Sequence, residues 1–125
     1  MADKNLIAET SMDFAVRCVN LYKYLSQDKN EYIMSKQVYR SGTSVGANIR
    51  ESRNAQSSAD FINKLNIALK EADETQFWIE LLFRTQFISE AEYSSINNDI
   101  DEIISILTAS IKTNKSKINR DINLG

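Results

Sequence analysis

The sequence contains no proline and only three glycines among its 125 residues. Proline interrupts helices, and proline and glycine together form many of the tight turns that join the strands of a sheet. A chain that nearly lacks both residues has few stops within its helices and few of the turns that a β-sheet requires. The sequence therefore favours long helices with short connections, and its length suits a single domain.

Apolar residues recur at steps of three and four, the spacing that keeps side chains on one face of a helix. The stripes consist of Phe14, Cys18, Leu21 and Leu25, then Val38, Gly42, Val45 and Ile49, then Phe61, Leu65, Ala68, Ala72, Ile79 and Leu82, and finally Ile96, Ile100, Ile103, Leu107 and Ile111. They predict helices over about 11–27, 35–55, 58–85 and 89–113, with 114–125 as a frayed tail. We expect an all-α fold, an antiparallel up-and-down four-helix bundle that occupies residues 1–125 as one domain.

Two local signals refine this prediction. Ser89 and Glu92 form a Ser-x-x-Glu capping box, which marks the start of the fourth helix. Gly42 and Gly46 lie within the second helix, where each glycine costs about 1 kcal/mol relative to alanine. We expect the close approach of a neighbouring helix to account for both glycines.

The absence of histidine removes the commonest general base and the commonest transition-metal ligand. Cys18, the single cysteine, lies on an apolar stripe, where a buried and inert thiol is expected. Glu71 and Glu74 lie three residues apart, and an all-carboxylate site for Mg²⁺ or Mn²⁺ there is the metal alternative. We predict that the protein is not an enzyme and uses no cofactor, no metal and no small-molecule substrate.

The apolar runs of the chain are short and interrupted by charged residues. A membrane-spanning helix needs about 20 apolar residues in succession. The first residues also lack the basic and apolar regions of a secretory signal. With a single cysteine, the composition fits a reducing compartment. We therefore expect a cytoplasmic protein that does not bind membranes.

Two stretches within the second and third predicted helices carry a resemblance to a known family. Residues 37–52 read Gln-Val-Tyr-Arg-Ser-Gly-Thr-Ser-Val-Gly-Ala-Asn-Ile-Arg-Glu-Ser. Together with residues 60–78, this run resembles the signature of the four-helix-bundle proteins of the 23S rRNA intervening-sequence family. The likeness spans roughly residues 14–107. Arg50 departs from the pattern, because many members carry alanine before the glutamate.

The resemblance implies an antiparallel four-helix bundle that assembles as a cyclic homopentamer, with no firmly assigned activity. It also implies a relation to the accessory variability determinants of diversity-generating retroelements, which are pentameric partners of a reverse transcriptase and bind nucleic acid through a basic surface. The function that it favours is a non-enzymatic homo-oligomeric interaction scaffold, an RNA or ribonucleoprotein accessory. The alternative is a protein-binding adaptor, for example a reverse-transcriptase partner, that does not bind nucleic acid itself.

The distribution of charge suggests where nucleic acid would bind, although the net charge is −2. The net charges are −1 over 1–34, +4 over 35–70, −8 over 71–102 and +3 over 103–125. Such segregation creates a basic zone in an acidic chain. We predict that Arg50, Arg53 and Lys64 bind phosphates. The alternatives are solvated helix faces and pairing of opposite zones between subunits.

Two further groups of residues are candidates for contacts between helices and between subunits. The predicted inter-helix polar network consists of Arg40, Ser44, Asn48 and Glu51 on the second helix and Glu71 and Glu74 on the third. A ligand or RNA-phosphate site is the alternative for these residues. The third helix is apolar over much of its circumference, which indicates packing on more than one side. The predicted oligomer interface consists of Phe77, Trp78, Leu81 and Phe83.

Overall fold

The computed structural model describes the backbone of residues 2–124 and the side chains of residues 6–122. It contains four α-helices, α1 (Ala2–Asp28), α2 (Met34–Ser52), α3 (Ser58–Arg84) and α4 (Glu90–Leu124). No strand occurs within the described backbone. Each helix packs against two neighbours: α1 and α3 both contact α2 and α4. The prediction of an all-α four-helix bundle is confirmed.

The predicted apolar stripes form the core of the bundle. Fully or nearly fully buried are Phe14, Cys18, Leu25, Val38, Val45, Ile49, Leu65, Ala68, Ala72, Ile79, Leu82, Ile96, Ile100, Ile103, Leu107 and Ile111. Leu21 and Phe61 are partly buried and pack against this core. Removal of these apolar surfaces from water is the main favourable contribution to folding.

Two helices are longer than the apolar stripes predicted. α1 begins at Ala2, and the side chain of Ile7, near the start of this helix, is buried. α4 continues to Leu124, through most of the segment predicted to fray. No proline or glycine interrupts this part of α4, and the Asn114 amide donates to the Ser110 carbonyl oxygen at 2.7 Å. A polar composition alone therefore does not end the helix, and residue 125 lies outside the described backbone.

The predicted capping box at the start of α4 is confirmed. The Ser89 backbone N–H donates to Glu92 Oε1 at 2.8 Å, and the Glu92 backbone N–H donates to Ser89 Oγ at 3.1 Å. The backbone N–H of Ser89 holds the pKa of the Glu92 carboxyl below its usual value, and the Ser89 side chain lowers it further. Both ends of the motif thus satisfy N–H groups that have no partner within the helix.

Glu31 caps the start of α2, which sequence patterns did not reveal. Its carboxylate accepts hydrogen bonds from the backbone N–H groups of Ile33 and Met34 at 3.1 Å and of Ser35 at 2.8 Å. The Ser35 hydroxyl group donates to the Glu31 carbonyl oxygen at 2.8 Å. Glu31 is consequently buried, although it lies in a connection between helices. A negative charge at this position also complements the positive end of the helix dipole.

The two glycines of α2 lie where α1 comes closest. A Cβ at Gly42 would stand 2.9 Å from Cys18 Cβ, and a Cβ at Gly46 would stand 3.3 Å from the Ser11 carbonyl oxygen. The first position thus faces a side chain of α1 and the second its backbone. The expected close approach of a neighbouring helix is confirmed, and it explains why glycine stands at these positions despite its low helix propensity.

We expect Gly42→Ala to destabilise the protein. Overpacking a core position costs about 1–3 kcal/mol, whereas alanine recovers only about 1 kcal/mol of helix propensity. Urea denaturation should therefore show a lower free energy of unfolding. The matched control is Gly46→Ala, which should lose less because the nearest atom to its Cβ would be the Ser11 carbonyl oxygen at 3.3 Å, a longer contact than the 2.9 Å at Gly42. A Gly42→Ala variant as stable as the native protein would contradict a tight contact between α1 and α2.

Candidate functional site

Arg40 on α2 lies in a polar cluster with three residues of α3. Its guanidinium forms an ion pair with Glu74, and Nη1 lies 3.4 Å from Glu71 Oε2. The Trp78 indole N–H donates to Glu74 Oε2 at 3.2 Å. Half of the Arg40 side chain is exposed, and an ion pair in such a position contributes about 0–1 kcal/mol. Both glutamates are thus occupied by a cation of the protein itself.

The remaining residues of the predicted network are placed differently. The Ser44 hydroxyl group donates to the Arg40 carbonyl oxygen, and the Asn48 amide donates to the Ser44 carbonyl oxygen, each at 2.8 Å. Both bonds lie within α2, because a short polar side chain readily reaches the carbonyl one turn earlier. Glu51 does reach α3, where it pairs with Lys64 at 3.3 Å. The predicted network is therefore interrupted at Ser44 and Asn48, whose hydrogen bonds stay within α2.

A buried polar contact between α2 and α3 was missed by sequence reasoning. Thr75 Oγ1 donates to Ser41 Oγ at 2.7 Å and lies equally close to the Glu71 carbonyl oxygen. The Ser41 hydroxyl group donates to the Gln37 carbonyl oxygen at 2.8 Å. Thr75 and Ser41 are both fully buried. Their hydroxyl groups satisfy each other inside the core, so this contact joins the helices without leaving a polar atom unpaired.

Arg50 and Arg53 lie together at the end of α2. Both line a groove of about 280 Å³ between α1 and α2, whose walls include Ala8, Met12 and Ala15. Both arginines are exposed, and no carboxylate among the described side chains forms an ion pair with either one. Their charges are therefore available to an anionic partner.

Lys64, the third residue predicted to bind phosphate, does not line this groove. Its ammonium group lies 3.3 Å from Glu51 Oε2, and its side chain is about one-third exposed. An anion at Lys64 would have to compete with this carboxylate. The structure thus places Arg50 and Arg53 in one groove, whereas Lys64 lies outside that groove and is paired with a carboxylate.

The four residues of the predicted oligomer interface are unequally exposed. Phe77 is 59% exposed, with its ring edge-on to Trp78 at 5.1 Å between centroids. Trp78 and Phe83 are partly buried against the core, and Leu81 is also partly buried. The Phe83 ring stacks on Tyr93 of α4 at 4.6 Å. Phe77 is therefore the residue of the four that presents most of its side chain to solvent.

Three observations concern metal binding, the single cysteine and membrane spans. No three Asp, Glu, Cys or His side chains among them lie close enough to hold a metal ion. Burial raises the pKa of the Cys18 thiol to about 12, an effect that the neighbouring Arg17 charge only partly opposes. The thiol therefore stays protonated at neutral pH and is a poor nucleophile. Among the described helices, none has the length and apolar character needed to cross a bilayer.

These features define an all-α bundle protein whose polar groups mostly satisfy one another. The family described as 23S rRNA-intervening sequence protein matches residues 3–109, and the chain belongs to this family. This chain is similar to a solved structure of a protein of unknown function from the S23 ribosomal protein family of Bacteroides thetaiotaomicron. The two are 59% identical with a TM-score of 0.87, over 88% of this chain and 98% of that one. A comparison with curated proteins gives no match.

The predicted family membership is thus confirmed. Neither the family name nor the description of the similar structure assigns an activity. The family name refers to an intervening sequence of ribosomal RNA, and the name of the solved relative's family refers to the ribosome. The function of this chain must therefore be argued from its own surface.

We expect Thr75→Val to lower the free energy of unfolding by about 1 kcal/mol, because the Thr75 hydroxyl group no longer donates to Ser41 Oγ, which keeps only its own hydrogen bond to the Gln37 carbonyl oxygen. Chemical denaturation measures this change. The double variant Thr75→Val/Ser41→Ala should lose less than the sum of the two single variants, since removal of both partners leaves no buried polar atom unpaired. Additive losses would contradict an energetic coupling between the two hydroxyl groups.

Proposed function

We propose that this chain is a non-enzymatic, homo-oligomeric scaffold of four antiparallel helices that binds structured RNA by its phosphates. The observation that carries this proposal is the pair of exposed arginines, Arg50 and Arg53, that no described carboxylate neutralises.

The antiparallel arrangement is supported by pairs of contacts at the helix seams. Between α2 and α3, Glu51 pairs with Lys64 and Arg40 with Glu74, so the residue number falls on one helix as it rises on the other. The same reversal occurs between α3 and α4, where Gln76 contacts Asp101 and Phe83 contacts Tyr93. Short connections between consecutive helices favour the same arrangement.

Homo-oligomer formation is supported by apolar side chains that face solvent. Phe77 and Ile67 of α3 are both exposed in the single chain, at 59% and 36%. Exposed aromatic residues are enriched at the centres of protein interfaces. A second copy of the chain would cover Phe77, and rotational symmetry would then close a ring. The five-fold ring implied by the family resemblance is the assembly that we propose.

RNA binding is supported by the position of the two arginines. A guanidinium group is always charged and matches the geometry of a phosphate group. Arg50 lies in the last turn of α2, and Arg53 directly follows the end of the helix. The two side chains line the same groove, so they can contact neighbouring phosphates of the same backbone. In a ring, the pair would recur in every subunit and several weak contacts would act together.

The alternative function is a protein-binding adaptor, such as a reverse-transcriptase partner, that does not bind nucleic acid itself. The groove beside the arginines favours it, because Ala8, Met12, Ala15 and Ala47 give the groove apolar walls. Such walls suit a peptide side chain better than a phosphate group. RNA binding by the native protein distinguishes the two functions.

The first test concerns assembly. Phe77→Ser should leave the fold of the single chain nearly unchanged, because the ring is mostly exposed, but it should shift the molar mass measured by light scattering towards that of a monomer. Ile33→Ser is the matched control, since Ile33 is 76% exposed and lies in the connection before α2. Unchanged oligomers in Phe77→Ser, or a monomeric native protein, would rule out the predicted interface.

The second test concerns RNA. Fluorescence anisotropy of a labelled RNA hairpin should show binding that weakens with salt, and Arg50→Glu/Arg53→Glu should reduce the affinity at least about tenfold. Lys36→Glu/Lys70→Glu reverses the same number of exposed charges elsewhere and should bind nearly as the native protein does. If the native protein binds no RNA even at low salt, the adaptor function is the better account.

A further inference from the structure

The final part of α4 carries a second set of unpaired positive charges. We define the basic end of α4 as residues 112–122. Its cations are Lys112, Lys115, Lys117 and Arg120, and its only acidic residue is Asp121. All four cations are exposed, and none forms an ion pair with a described carboxylate.

The basic end of α4 lies at the margin of the core, where Ile118 is still partly buried against it. Ile111 is the last buried residue of α4 among the described side chains, and Ile122 is 69% exposed. Phe83 of α3 stacks on Tyr93 of α4. Ser58, where α3 starts, lies as far before Phe83 in the sequence as Ile118 lies after Tyr93. If the helices run antiparallel, Ser58 and Ile118 therefore lie at the same level along the bundle. Arg120 therefore lies beyond the start of α3.

The same end of the bundle carries the two arginines of the proposed RNA contact. Arg50 and Arg53 stand where α2 leads into α3, and Ser58 begins α3 shortly afterwards. In the antiparallel arrangement, the end of α2, the start of α3 and the basic end of α4 all lie at one end of the molecule. Two groups of unpaired cations, far apart in sequence, thus share one pole of an acidic protein.

The basic end of α4 is not part of what the family match describes. The match ends at residue 109, before the first of the four cations. We propose that the basic end of α4 is a second phosphate-binding surface, which binds the same structured RNA as Arg50 and Arg53. This inference rests on the proposed function. It adds Lys112, Lys115, Lys117 and Arg120 to the residues that contact RNA.

The chemistry of the segment favours RNA over a membrane surface. A helix that lies on a bilayer needs a broad apolar face, commonly with aromatic residues. Residues 112–122 contain two apolar side chains, Ile118 and Ile122, and no aromatic one. Thr113, Asn114, Ser116 and Asn119 occupy most of the positions between the cations. Charge without apolar area suits a hydrated phosphate backbone, whose binding depends mainly on counterion release.

The test uses the full-length protein and a labelled RNA hairpin, titrated at several salt concentrations. In the α4 variant, glutamine replaces all four cations of the basic end, which keeps the length and removes only charge. The control variant replaces four exposed lysines with glutamine, Lys23, Lys29, Lys36 and Lys70. Both variants change the net charge equally. Circular dichroism and thermal melting confirm that each variant folds.

We expect the α4 variant to lower the slope of log K against log salt by about 3, since each lost phosphate contact removes roughly 0.7–0.9 from the slope. Its affinity at low salt should fall at least about tenfold, while the control variant should stay within about threefold of the native protein. Arg50→Glu/Arg53→Glu is measured in parallel, and its loss of affinity reports on the proposed function independently.

Four outcomes would overturn the proposal. Native affinity in the α4 variant, together with a loss in Arg50→Glu/Arg53→Glu, would remove the basic end of α4 from the RNA contact and leave the proposed function intact. Equal losses in the α4 and control variants would show an effect of net charge alone. If the α4 variant binds RNA as the native protein does but no longer binds phosphatidylserine vesicles, the basic end of α4 is a membrane-binding surface. Absence of RNA binding by the native protein would refute both proposals.

Discussion

The close contact between α1 and α2 is the constraint on which the rest of the bundle depends. Gly42 and Gly46 carry no side chains, so Cys18 and the backbone at Ser11 can approach α2 directly. The proximity of α1 fixes the rotation of α2, and this rotation turns Ser41 towards Thr75 of α3. Helix packing at short distance allows few rotations, because interiors are filled to near-crystalline density. The positions of the exposed arginines on α2 follow from the same rotation.

Much of the fold could be predicted because each helix carries a nearly uninterrupted apolar stripe and few residues that would stop it. The features that could not be predicted depend on contacts between helices, which the pattern of a single helix does not include. Whether Thr75 meets a hydroxyl group depends on how α2 and α3 are rotated against each other. Glu31 caps α2 from a connection, so no periodic pattern includes it. The end of α4 looked frayed because its composition is polar, yet nothing in the sequence breaks the helix there.

The candidate site was harder to predict than the fold, because pairing decides which charges are available. Lys64 and Arg50 look equivalent in sequence, but Glu51 neutralises Lys64 across the seam between α2 and α3. In the same way, Glu71 and Glu74 of α3 resemble metal ligands in the sequence, but in the structure both pair with Arg40 of α2. In both cases the partner of the charged residue belongs to a different helix. Net charge over a segment therefore locates a basic region but does not identify the residues within it that are free to bind.

Stability and the proposed RNA binding depend on different parts of this molecule. The core stripe of α4 is buried as far as Ile111, whereas the four cations beyond it are exposed and contribute little to burial. Changes of charge at exposed helix positions usually alter stability by less than about 0.5 kcal/mol. The basic end of α4 can thus vary in charge while the bundle stays intact. In the proposed function, the charges that select the partner therefore lie on the exposed face of α4, and the side chains that maintain the fold lie on its buried face.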